Sequence, residues 1–136
     1  MSWCAFVDES ESNRKLDPDV YILAASVLPV GSCDVVLRRR KCMERLLFEL
    51  PAMGVYEVMM EAREAKQNRH DMALARAMRA RKEVPSGFRV DHAFGSGEPL
   101  LWLPDIVAGS IVAARCGDPC HLAPLMPLVT ICMIKA

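Results

Sequence analysis

Three carboxylates stand where a polar site could form: Asp8, Glu61 and Asp105. Asp105 is the most informative. Every other residue of 100–114 is uncharged and nearly all are apolar. On a helix Asp105 shares a face with Leu101, Trp102, Ala108, Gly109 and Val112, and a carboxylate buried there without a partner is costly. A partly exposed turn near Pro104, or an internal ion pair with an arginine, would also accommodate it.

Asp8 closes the short apolar run that starts at Trp3, and ligand sites of open α/β sheets gather at the carboxyl ends of strands. A strand-terminal cap is its plainer role. Glu61 closes another strand-like run, where a solvated edge is the plainer role. If these two strands pair in parallel, both acids end side by side. Like charges so placed repel unless a cation or a proton lies between them. A hard divalent cation suits oxygen ligands and bridges phosphate oxygens.

These acids need a scaffold, and the chain supplies its elements. The run 3–8 reads as a buried strand and 9–19 as a polar loop. The segment 20–30 (VYILAASVLPV) reads as a second strand, ended by Pro29 and Gly31. Asp34 can cap a helix over 35–50, with Val36, Met43, Leu46, Leu47 and Leu50 in one stripe. A third strand covers 55–62, with Glu57 and Glu61 on one face and Tyr56, Val58 and Met60 on the other. A helix over 68–82 carries Met72, Ala75 and Met78 on one side. A strand at 88–93, an apolar helix at 100–115 and a last strand or extended tail at 129–134 complete the chain. Strands alternating with helices in the second half imply parallel pairing.

Composition narrows the function classes. The 136 residues fit one domain spanning 1–136, and 52% hydrophobic with 25% charged residues is a globular balance. Seventeen basic and seventeen acidic residues cancel, so nucleic acid could bind only through a local patch. The run Arg38 to Lys41 could grip a phosphate backbone or form a solvated helix face. The start of the chain has no cationic segment before its apolar run, and prolines break the uncharged stretch 119–134. A cytoplasmic protein with no membrane role is the expectation. The six cysteines form no CxxC pair, and reduced core thiols are the plain reading. Cys116, Cys120 and His121 could make a metal corner, but no fourth ligand stands at zinc-site spacing. His92 could shuttle protons or be an ordinary half-buried histidine.

The segments FVDES at 6–10, YILAA at 21–25 and EPLLWLPDIVAG at 98–109 together resemble a bacterial ribonuclease-H-like group, domain-of-unknown-function family 3800. The stretches 46–63 and 89–93 also resemble its actinobacterial branch, so the similarity covers most of the chain. The resemblance implies an α/β fold: a ribonuclease-H-like mixed sheet with flanking helices on both faces. It implies Asp8, Glu61 and Asp105 as catalytic residues and metal ligands, Mg2+ or Mn2+ as cofactor, and a nucleic acid as substrate.

The chain departs from the family between the second strand and the first long helix. There it looks internally shortened, so one edge strand is expected to be missing. The second strand would then be an exposed apolar edge and a seam for a homo-oligomer. The fourth acid that the family's site would need is also put in question, with Glu44 as its nearest stand-in. Two functions follow: a metal-dependent nuclease or phosphoryl-transfer domain of impaired activity, or a non-catalytic remnant that serves as a protein-interaction module.

Overall fold

In the computed structural model the backbone is described at 3–7, 9–11, 20–23, 26–29 and 35–133, and side chains from 39 to 132. Two sheets carry the molecule. The first is parallel, in the order β1 (Trp3–Val7), β5 (Val55–Glu61), β6 (Arg89–Ala93). The second has the order β2 (Glu9–Glu11), β3 (Val20–Leu23), β4 (Ser26–Pro29), β7 (Cys132–Met133). Its first three strands are antiparallel, and β7 joins β4 in parallel. This is a mixed α/β arrangement, as the alternation of elements implies.

One expectation is corrected here. The segment 20–30 is two strands, paired antiparallel from Val20↔Pro29 to Leu23↔Ser26. The second strand is therefore not an open edge, because β2 flanks β3 on one side and β4 on the other. The outer side of β4 is taken in turn by the tail, through Ser26↔Cys132 and Val27↔Met133. The premise of an oligomer seam on β3 is removed, since its backbone groups are already in ladders.

Helix α1 (Val35–Glu49) runs into a 3-10 turn at Leu50–Met53, where Pro51 has no N–H to continue an α-helical ladder. Gly54 then takes φ 78°, the left-handed conformation that glycine adopts without penalty. Helix α2 (Ala65–Ala80) begins three residues before its expected start. The reason lies in Asn68, whose Oδ1 accepts from the Arg63 N–H at 2.9 Å, so it closes the first turn from inside. At the other end Lys82 adopts φ 60°, and the Glu83 N–H donates back to the Met78 carbonyl at 3.0 Å. Lys82 thus does work usually given to glycine.

The main core lies between these two helices and the parallel sheet. Cys42, Met43, Leu47 and Leu50 of the α1 side meet Leu74, Ala75 and Met78 of α2 over Val58, Met60 and Val90. Strand alternation places Glu57, Met59 and Glu61 on the opposite face of β5. Near that face Leu101, buried in the turn Pro99–Leu101, leads into α3 (Trp102–Arg115), and α3 packs against β1, β2 and β3. A smaller cluster joins Ala108 and Ile111 of α3 to Leu122 and Ile131. No helix among the described residues is long and apolar enough to cross a membrane.

Candidate functional site

Strands β1 and β5 are parallel neighbours, and Val7 stands opposite Met60. Each of these residues immediately precedes an acid in the sequence, Asp8 and Glu61. Asp8 itself lies outside the described residues. Glu61 is half-buried at the carboxyl end of β5, and the Ala62 N–H donates to the Ala93 carbonyl at 2.7 Å, which carries the β5–β6 ladder past it.

The loop after β6 folds over Glu61. A Cβ built on Gly95 would lie 2.8 Å from Glu61 Oε1, so only glycine leaves the carboxylate its place. The Trp102 indole N–H donates to the Gly95 carbonyl at 3.2 Å, which ties the first turn of α3 to this loop. Glu98 caps the intervening 3-10 turn by accepting from the Leu100 N–H at 3.2 Å. The start of α3 is thereby anchored beside the end of β5.

Asp105 lies in that first helical turn, where the helix dipole favours a negative charge. It is exposed, and so are Trp102, Leu103 and Ile106 around it. Of the residues expected on its face, Leu101 and Ala108 are buried while Trp102 and Gly109 are exposed. The stretch is apolar throughout, but only part of it turns inward. Asp105 is exposed, so the solvent of a partly exposed turn carries its charge. Glu44 is not near this site. It pairs with Arg40 at 3.2 Å on α1, which packs on the other face of the sheet.

A buried polar cluster emerges on that other face. Asp71 of α2 is 5% exposed. Its Oδ2 accepts from Arg39 Nη2 at 2.9 Å and meets His92 Nε2 at 3.3 Å. Burial pushes the Asp71 carboxyl up, but the hydrogen bonds from His92 and Arg39, with their charges, outweigh it and hold it below 3.8. An ionised Asp71 makes His92 Nε2 the donor. His92 is therefore an orienting partner inside the fold, and the Arg38 to Lys41 run is split: Arg39 turns inward while Arg40 stays on the surface. A cleft of about 700 Å³ opens beside this cluster, lined by Arg39, Arg40, Arg63, Lys66, His70 and Asp71 among others. Asp71 was legible in principle, because Asp71, Leu74, Ala75 and Met78 follow the spacing of one helical face.

The cysteines divide by environment. Cys42 is fully buried in the core, and burial raises its thiol to about 11 despite the opposing pull of Arg39. Cys116 and Cys132 are half-buried, and Cys120 is exposed. Among the described residues, the group of three ligand-type side chains within 4.8 Å of one another is Asp118, Cys120 and His121. No protein-family model matches the chain, and neither the curated proteins nor the solved structures contain a match.

Proposed function

We propose that the chain is a ribonuclease-H-like domain whose Asp8, Glu61 and Asp105 bind Mg2+ or Mn2+, as a nuclease or phosphoryl-transfer site with little turnover. The observation that carries this reading is the parallel register Val7↔Met60, each of these residues being followed in sequence by an acid. The tether from Trp102 to Gly95 supports it, since it draws the helix of Asp105 toward the loop that covers Glu61. The sheet pattern also fits. β1 and β2 are separated in sequence by Asp8 alone, with antiparallel neighbours following β2 and parallel neighbours following β1. The split of 20–30 supports it as well, since β4 lies beyond β3, where the resemblance would put a third strand.

In this reading the three carboxylates would hold the cation against their mutual repulsion, and the cation would supply Lewis-acid chemistry toward a phosphodiester. The test is thermal. Millimolar Mg2+ or Mn2+ raises the melting temperature by mass action, and Asp105→Ala, an exposed substitution with little cost of its own, removes the rise. A wild-type protein indifferent to both ions across that range would end the proposal.

A further inference from the structure

The turn after α3 gathers three metal-binding side chains that the carboxylate site does not use. Helix α3 stops as Gly117 takes φ 99°, and the Asp118 N–H donates back to the Ala113 carbonyl at 2.9 Å. Pro119 stiffens the next step, and the Leu122 and Ala123 N–H groups both donate to its carbonyl, at 3.1 and 3.0 Å. Within this turn the Cys120 N–H donates to Asp118 Oδ1 at 3.1 Å, which aims the carboxylate at residues 120 and 121. His121 Nε2 lies 3.9 Å from Asp118 Oδ2. One ligand atom each from Asp118, Cys120 and His121 lies within 4.8 Å of the other two, and all three residues are exposed.

We propose that Asp118, Cys120 and His121 form a binding site for Zn2+ or a similar thiophilic divalent ion. Ligand type decides the class. A thiolate and an imidazole are poor ligands for magnesium or calcium, while zinc accepts sulfur, nitrogen and carboxylate oxygen together. Bond lengths of about 2.0–2.3 Å put neighbouring ligand atoms of a tetrahedral zinc about 3.3–3.8 Å apart. The Asp118–His121 separation is already close to that. The remaining contraction needs only rotation of exposed side chains on a backbone turn held by its own hydrogen bonds.

Three protein ligands leave one tetrahedral position for water or another exchangeable group. Beside Cys120 and His121 a groove runs along α3, walled by Ile106, Ser110, Pro124 and Leu125. The open position therefore has a surface next to it on which a small ligand could rest. Cys116 is not a ligand here, although its spacing suggests it: it ends α3 half-buried, while Asp118 takes the third place.

The test titrates the full chain with Co2+ and then displaces it with Zn2+. One equivalent of cobalt at micromolar concentration gives a thiolate-to-cobalt charge-transfer band in the near ultraviolet, and zinc abolishes it. Cys120→Ser eliminates the band, whereas Cys116→Ser keeps it. Asp118→Asn and His121→Gln each weaken binding about tenfold or more, since even groups that only orient a ligand cost 10–100-fold. All four variants keep the wild-type melting temperature without metal. Glu61→Gln and Asp105→Ala leave the cobalt charge-transfer band and its loss on adding zinc unchanged, which separates this site from the carboxylate site. No band, a band that survives Cys120→Ser, or binding indifferent to both Asp118→Asn and His121→Gln would overturn the proposal.

Discussion

Glu61 and Gly95 share one space: the Glu61 Oε1 lies 2.8 Å from where a Cβ on residue 95 would stand. The strand end and the loop are thus matched by the absence of a side chain. Gly95→Ala forces the carboxylate to swing away, because it is the end of a flexible side chain and the cheapest group to move. We expect a stability change within about 1 kcal/mol and loss of most of the Mn2+-induced rise in melting temperature. Metal-free and metal-loaded melts of the variant check this. An undiminished rise would show that Glu61 is not a ligand.

Asp71, buried between Arg39 and His92, makes stability depend on acid. Its carboxyl is held below 3.8 in the fold, so the ionised form favours the native state. That contribution is fully present at pH above the ordinary aspartate range and is lost as pH falls through it toward the lower native pKa. Asp71→Ala should cost about 1–3 kcal/mol near neutral pH, because it removes the buried acceptor that Arg39 and His92 share. The variant should also lose part of the wild type's acid sensitivity. Denaturant unfolding at pH 7 and pH 3 measures both effects.

The legible and illegible parts of this fold differ by range. Helix α1, strand β5 and strand β6 followed from local periodicity, and their limits fall within a residue or so of the expected ones. The split of 20–30 did not, because the two residues between Leu23 and Ser26 are alanines, without the glycine or asparagine that marks a tight hairpin. Asp71 was hidden by its arginine-rich helix, where a charge reads as solvated, and its partners come from 32 and 21 residues away. Apolar composition also overstated the burial of α3, since it cannot distinguish a core face from an exposed one at Trp102, Leu103 and Ile106. Asp118 carries no signal of its own in the sequence, because cysteine spacing, which points to Cys116, is a stronger pattern than a single aspartate.

The pairing of β7 with β4 predicts how the tail governs assembly. Removal of residues 130–136 strips the cover from Ser26 and Val27 and opens a strand edge of β4. Unpaired backbone groups on such an edge recruit another chain. The intact chain should stay monomeric at concentrations where the shortened one dimerises or precipitates. Light scattering over a concentration series distinguishes them. Equal behaviour of both chains would mean that β7 does not protect this edge.

Metal binding and turnover should separate. Two-metal hydrolysis needs cations held about 4 Å apart and a ligand set for each. Among the described residues no third aspartate, glutamate, histidine or cysteine joins Glu61 and Asp105 in a group within 4.8 Å, and Glu44 is engaged by Arg40 on the opposite face. In the proposed site Asp8 would bring the carboxylates to three, enough for one cation while a second would be loosely held. The exposure of Asp105 would weaken its hold on such an ion further, since water competes at an open turn. We therefore expect Mn2+ to stabilise the protein while RNA, DNA and RNA–DNA hybrids are cut slowly or not at all. Cleavage assays on all three substrates, run beside the melts, test this. Robust cleavage that Asp8→Asn abolishes would show that three acids are enough and would make the domain a working nuclease. Stabilisation without cleavage, followed by activity once a segment of the length seen in the family it resembles is inserted after Cys33, would favour an internal shortening as the cause of low turnover.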